Sequence, residues 1–184
     1  MRVIGGIYRG RRLRGVSGLA VRPTSDRLRE TLFNILAPKI HGSHFVDICA
    51  GSGAVGIEAL SRGASEVTFI ERSRGACAVI EANLASLGIT QATLIKQDAA
   101  ASLKKLQREA IQFDIAFFDP PYASEIYGEV MNQLGSDGLL TDDALVIVEH
   151  RVKTPPIPEC GSLRIFREVR QGESALSFFS RINP

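Results

Sequence analysis

From residue 44 onward, short apolar runs alternate with longer stretches whose apolar positions recur every three or four residues. The first pattern predicts buried strands and the second amphipathic helices. Strands are expected at 44–49, 66–71, 92–96, 113–118 and 144–149, and helices at 54–62, 74–87, 99–109 and 124–134. Gly63, Gly88 and Gly138 punctuate the helix-to-strand turns. Such alternation predicts a parallel sheet covered on both faces. A Pro-rich connector spans 152–161. Residues 163–170 and 174–181 then alternate apolar and polar around Gln171-Gly172-Glu173, the pattern of an antiparallel hairpin. The expected fold is α/β, with a mostly parallel seven-stranded sheet that ends in this hairpin.

Residues 1–40 follow a different pattern. Arg2-Val3-Ile4 and Arg11-Arg12-Leu13-Arg14 read as two short strands joined by a Gly-rich turn, hence a hairpin. Arg22-Pro23-Thr24-Ser25-Asp26 then opens a helix that Thr24, Ser25 or Asp26 can cap and that ends near Pro38. Leu28, Leu32, Ile35 and Leu36 make its apolar face, and Arg22, Arg27 and Arg29 are expected off that face. The chain is therefore divided into an N-terminal basic extension, 1–40, and a sheet-forming domain, 41–184.

Charge sharpens that division. The net +2 hides nine Lys and Arg against two Asp and Glu in residues 1–40, about +7, which leaves about −5 for the rest. A basic arm on an acidic body points to a polyanionic partner. Arg9, Arg11, Arg12 and Arg14 crowd the hairpin with Tyr8 among them. Guanidinium forks match phosphates and an aromatic ring stacks on bases, so a nucleic-acid clamp is favoured over an edge hairpin kept soluble by charge. Cys49, Cys77 and Cys160 are too widely spaced for a CxxC pair or a disulfide framework, which suits a reducing, cytoplasmic setting. No run approaches the ~20 apolar residues of a membrane span, the N-terminus has no signal-peptide pattern, and no clustered ligand set predicts a metal.

The chemistry gathers at two strand ends. Phe45-Val46-Asp47-Ile48-Cys49 runs into Ala50-Gly51-Ser52-Gly53-Ala54-Val55-Gly56, where Gly51 and Gly53 let a ligand approach the backbone. Glu71, at the end of the next strand, can accept both hydroxyls of a ribose. These residues fit a nicotinamide dinucleotide as well. Two acids favour S-adenosylmethionine: Asp47, placed to face an ammonium that a pyrophosphate lacks, and Asp98, placed with the Ala99 amide to read an adenine. Asp98 also fits an ordinary cap for the helix at 99–109. The fourth strand ends in Asp119-Pro120-Pro121-Tyr122, a stiff turn carrying a carboxylate, carbonyls and a ring. That set can stack a base on Tyr122 and accept hydrogen bonds from its exocyclic amino group. His41, His44 and His150 read as ordinary strand-end or surface histidines, and Glu149 has no assigned role.

Phe45 to Gly56 together with Asp119-Pro120-Pro121-Tyr122 resemble the motifs of Rossmann-like class I amino-methyltransferases. Residues 2–11, Arg2-Val3-Ile4-Gly5-Gly6-Ile7-Tyr8-Arg9-Gly10-Arg11, and residues 22–34 resemble the RsmD family more narrowly, and the likeness spans essentially the whole chain. Cys49 departs from it, standing where many relatives carry Phe or a similar apolar residue. The resemblance implies a bacterial enzyme that methylates guanine N2 in 16S ribosomal RNA with S-adenosylmethionine. It implies that Asp47, Gly51, Ser52 and Gly53 line the methionine end, Glu71 takes the ribose, and Asp98 and Ala99 take the adenine. Asp119 and Pro120 would hold the guanine amino group and Tyr122 its ring. Tyr8, Arg9, Arg11, Arg12, Arg22, Arg27 and Arg29 would grip RNA. The expected substrate is 16S rRNA within a partly or fully assembled small subunit, met by a monomer. The rivals are a DNA adenine-N6 methyltransferase, a nicotinamide-dependent oxidoreductase and a non-catalytic RNA-binding factor.

Overall fold

Alternate residues of the central strands bury on opposite faces of one sheet, and that parity places the site. A computed structural model of the chain describes residues 1–16, 25–120 and 126–182. The strands are β1 (His44–Ile48), β2 (Glu66–Ile70), β3 (Ala92–Ile95), β4 (Phe113–Phe118), β5 (Leu140–Arg151), β6 (Glu159–Cys160), β7 (Leu163–Gln171) and β8 (Ser174–Arg181). Their order is β3-β2-β1-β4-β5-β8-β7-β6. β1 to β5 pair in parallel, and β8, β7 and β6 add antiparallel. The seven expected strands are all present. β6 is an eighth, two residues long, too short for any period to register.

Helices α1 (Asp26–Ile40), α2 (Ala54–Ser61) and α3 (Arg74–Leu87) cover one face, α4 (Ala99–Arg108) and α5 (Ile126–Leu134) the other. Phe45, Phe69, Phe117 and Ile147 point to the first face; Val46, Ile70, Phe118 and Val148 point to the second. Gly56 lets α2 lie close on the sheet, because a Cβ there would fall on the Phe69 ring. Ser25 caps α1, accepting from the Leu28 N–H at 3.1 Å. The helix does not stop at Pro38: it runs on to Ile40, whose side chain is buried in the core beyond it.

The N-terminal hairpin forms, but with a single antiparallel bridge, Arg2 to Arg12, rather than two full strands. Val3 N–H donates to the Arg11 carbonyl (3.0 Å), and Gly10 N–H to that of Val3 (2.9 Å). Its Gly-rich turn is docked on the end of α2: Ile7 N–H donates to Ser61 O (2.8 Å) and Tyr8 N–H to Ser61 Oγ (2.9 Å). Gly6 has φ of 75°, and any Cβ there would collide with the Ser61 carbonyl. Val3 and Leu13 join Leu28, Leu32 and Phe45 in one cluster, so the apolar core runs without a break across residue 40.

Arg29 corrects the reading that put it among the RNA-gripping residues. Its side chain is 0% exposed. One Nη donates to the Arg2 carbonyl (2.6 Å) and to Asp26 Oδ1 (3.0 Å), and Nε lies 3.8 Å from buried Glu58. Burial lowers the Arg29 pKa, against the raising pull of Glu58 and Asp26. Glu58 also accepts the N–H groups of Ile4 and Gly5 (both 2.8 Å) and Nε of Arg62 (2.7 Å). These two charges bolt the hairpin, α1 and α2 together. The reading that set Arg29 off the apolar face fails as well: it stands three, four and seven residues before buried Leu32, Phe33 and Leu36, so it lies on the buried face of α1, under the hairpin.

Candidate active site

The carboxyl ends of β2, β1, β4 and β5 carry Glu71, Asp47, Asp119 and Glu149. Asp47 pairs in register with Phe69 and with Phe117, so Glu71 and Asp119 stand two residues beyond it on the neighbouring strands, and Phe118 pairs with Val148, so Glu149 comes level with Asp119. Asp47 is buried and accepts the Gly56 N–H at 2.9 Å. Its pKa is pushed up to about 7, mainly by burial and further by the negative charge of Glu71, against the lowering effect of the Gly56 bond. Asp119 is raised well above the carboxylate range, first by burial, then by Glu149 and Asp47. Cys49, among the same acids, is pushed up to about 12, so it is no ready nucleophile.

The loop after β1 is shaped by backbone twist and by two side chains. Cys49, Gly51 and Gly53 all have positive φ (63°, 55° and 74°). Cys49 and Ala50 N–H both donate to Ile70 O, which folds the chain sharply over the end of β2 (2.9 and 3.1 Å). Glu71 accepts the Gly51 N–H (2.9 Å) and the Ser73 N–H (2.8 Å), so it pins this loop. Asn83 on α3 was missed by the sequence reading. Its amide donates to Ser52 O (3.0 Å) and to Arg14 O (3.1 Å), and its oxygen accepts the Arg14 N–H (2.8 Å). A lone Asn within an otherwise ordinary helix carries no sequence signal for that. Among the described residues a Cβ on Gly51 would meet nothing within 4 Å, so none of them packs against the loop there.

Asp98 caps α4, accepting the Ala100 and Ala101 N–H groups (3.0 and 3.3 Å). The cap leaves the first-turn amide of Ala99 outside it. Asp119 N–H donates to Ile48 O (3.3 Å), which fixes the start of the Asp119-Pro120 turn beside β1. Pro121 and Tyr122 lie outside the described residues, as does Arg22. On the hairpin, Arg9, Arg11 and Arg12 are exposed and Tyr8 half-buried; Arg27 is exposed on α1. One Arg11 Nη donates to Ser86 O (2.9 Å), so that guanidinium keeps its other donors outward. Among the described residues no group of three or more His, Cys, Asp or Glu could hold a metal ion, and no helix is long and apolar enough to cross a membrane.

Comparison with known proteins agrees with this arrangement. The family model described as Conserved hypothetical protein 95 matches residues 1–180. Ribosomal RNA small subunit methyltransferase D of Escherichia coli strain K12 is 39% identical over 183 residues, covering 98% of this chain and 90% of that protein. The solved structure of the Escherichia coli protein yhhF superposes with a TM-score of 0.83 at 40% identity, over 98% of this chain and 97% of that one. The structure of SMU.776 complexed with SAH gives a TM-score of 0.69 over 82% of this chain and 48% of that one. Its identity is 13%, so that likeness speaks of the fold alone.

Proposed function

The chain belongs to the RsmD family, described as Conserved hypothetical protein 95, and from that premise we propose that it transfers a methyl group from S-adenosylmethionine to the exocyclic N2 of a guanine in 16S ribosomal RNA. The observation that carries this reading is the row of four acids beside the glycine loop. Two of them, Asp47 and Asp119, have raised pKa values, and such carboxylates favour a cationic ligand, which restores their charge. It disfavours a dinucleotide, whose pyrophosphate would add two negative charges to the same space.

S-adenosylmethionine supplies a methyl group on a sulfonium centre. Asp47 would hold the ammonium of its methionine part, Glu71 the ribose, and Asp98 with the Ala99 amide the adenine. The guanine must leave its stack, at a cost of a few kcal/mol, and Tyr122 is the ring on which it would stack. Asp119 and the Pro120 carbonyl would accept the two amino protons, which turns the nitrogen lone pair out of the ring and toward the methyl group. As the N2–carbon bond forms and the sulfur–carbon bond breaks, N2 becomes strongly acidic. Asp119, with its raised pKa, is suited to take the released proton and pass it to water.

The direct test offers labelled S-adenosylmethionine with unmethylated small subunits, naked 16S RNA or DNA, followed by digestion to nucleosides. Label in N2-methylguanosine is expected, with the subunit particle the better substrate for a chain of this size. Label in N6-methyladenine of DNA, or no label with cofactor bound, would overturn the reading. The expected setting is the cytoplasm, with the protein acting as a monomer.

A pH dependence follows from Asp47. The free protein holds a proton there below about pH 7, and a bound ammonium favours the ionised form, so binding expels the proton. Affinity for S-adenosylmethionine should therefore rise with pH toward 7, by up to about tenfold per unit, and level off above it. Calorimetric titration from pH 5.5 to 8.5 checks this. Asp47→Asn should remove the slope, and a slope that survives in that variant assigns the proton to another group.

A further inference from the structure

Residues 41–150 hold seven Lys and Arg against fifteen Asp and Glu, a net of −8, whereas residues 151–184 hold six against three, a net of +3. The charge profile is therefore basic, acidic, basic, and the second basic segment has no part in the site so far. Topology decides where it sits. β5 runs parallel to β4, and β7 runs in the same direction as β5, with β8 antiparallel between them. Gln171 at the end of β7 and Arg151 at the end of β5 both line up with Ser174. The basic end of β7 thus finishes on the same edge of the sheet as Asp119. With strands about 4.8 Å apart, three spacings separate β4 from β7, about 14 Å, a reach of a few nucleotides.

Arg151, Lys153, Arg167 and Arg170 are exposed around this edge. Arg167 makes no ion pair among the described residues. Main-chain bonding on that side of β7 ends at Ile165, whose N–H donates to Pro158 O (2.9 Å), and among the described residues no strand pairs with the β7 edge beyond it. A bulge between Ile165 and Arg167 leaves Phe166 54% exposed, its ring edge-on to Phe178 at 6.3 Å. The one nearby acid on β7, Glu168, is drawn inward to accept from Ser177 (3.2 Å). Its pair with exposed Arg170 spans 3.7 Å, a long contact that is worth little. Charges and a bulge also guard open edges against aggregation, and that accounts for Arg167. It does not account for Lys153, which stands just beyond the end of an interior strand.

We propose that the end of β7, with Arg151 and Lys153, is a second RNA-contacting surface. It grips phosphates on the side of the target base opposite the N-terminal hairpin. The hairpin lies over α2 and α3 on the β1–β2 flank, touching Ser61 and Ser86; this edge lies on the β8–β7 flank. The acidic pocket between them receives the extruded base and the cationic cofactor, while each basic flank holds the strand on one side of it. The proposal rests on the RNA-methylating reading above.

The test compares three variants with the wild type: Arg167→Gln with Arg170→Gln, Arg11→Gln with Arg12→Gln, and Arg164→Gln as control. Arg164 stands at the far end of β7, paired with Glu159 at 2.8 Å. Binding of transcribed 16S RNA is measured across a salt series, with thermal melts confirming that each variant folds. Each double variant should flatten the log–log salt slope by about 1.4, at about 0.7 per lost phosphate contact on a single strand. KM for RNA should rise while kcat and S-adenosylmethionine affinity stay unchanged. The Arg164 variant should match the wild type. A wild-type slope for the β7 double variant, beside a flattened one for the hairpin variant, overturns the proposal. Should the wild type methylate no RNA, the functional reading fails on its own, and the salt slopes still decide whether this edge binds.

Discussion

Asp119→Ala is expected to cut turnover about 10²–10³-fold, the scale of losing one group aimed at charge that develops in the transition state. Cofactor affinity should change little, because Asp119 stands at the end of β4 while the glycine loop is held by Asp47, Glu71 and Asn83. The pH profile gives a second readout. Burial, Glu149 and Asp47 all push Asp119 toward its protonated form, and only the ionised form can take up the proton that N2 releases. Wild-type kcat/KM should therefore climb with pH as Asp119 ionises, and Asp119→Asn should lose that limb along with the rate. Single-turnover methylation with separately measured cofactor binding checks both. A wild-type kcat in the alanine variant would remove Asp119 from the reaction.

The largest effect on stability is expected away from the site, at Glu58. Glu58→Ala would leave buried Arg29 with only the half-exposed Asp26 carboxylate and strip the partners from the Ile4 and Gly5 amides. Breaking one side of a buried ion pair costs about 3–5 kcal/mol. At about 2–4 °C per kcal/mol for a chain of this length, Tm should fall on the order of 10 °C. Because the apolar core is continuous across residue 40, the melt should stay a single transition, with no separate loss of the hairpin. Adding Arg29→Met to Glu58→Leu should recover much of the loss, since a buried pair replaced whole by apolar groups is often nearly neutral. Calorimetry settles this, and an unchanged Tm for Glu58→Ala would show that the pair is solvated rather than buried.

The sheet was legible because its signal is local. Phe113 to Phe118 is apolar on both parities, as a strand covered on two faces must be. Asp47, Glu71 and Asp119 were legible because strand ends next to Gly and Pro mark where a parallel sheet keeps its ligands. What failed was everything decided by a distant neighbour. Arg29 was read by its charge as solvent-facing; its spacing from Phe33 and Leu36 sets it on the buried face of α1, and the distant Arg2 carbonyl and Glu58 meet it there. Glu71 was read for a ribose, and its hold on the Gly51 amide appears only once the loop turns back over β2. Asn83 meets Arg14 from 69 residues away. The basic end of β7 was averaged into an acidic remainder, and only the strand order brings it round to the edge with Asp119.

The docking of the N-terminal turn has a consequence for how this protein can change. The α2 end holds the hairpin largely through main-chain groups: the N–H of Ile7 and Tyr8 on Ser61, and the N–H of Ile4 and Gly5 on Glu58. Backbone amides are the same whatever side chains flank them. Apart from Gly6 and Gly10, which have positive φ, and Gly5, which packs on Arg62, the turn's outward residues can be rewritten without disturbing its seat. The arm is an interchangeable fitting, whose outward face a lineage or an engineer could change while its hold on α2 stays as it is.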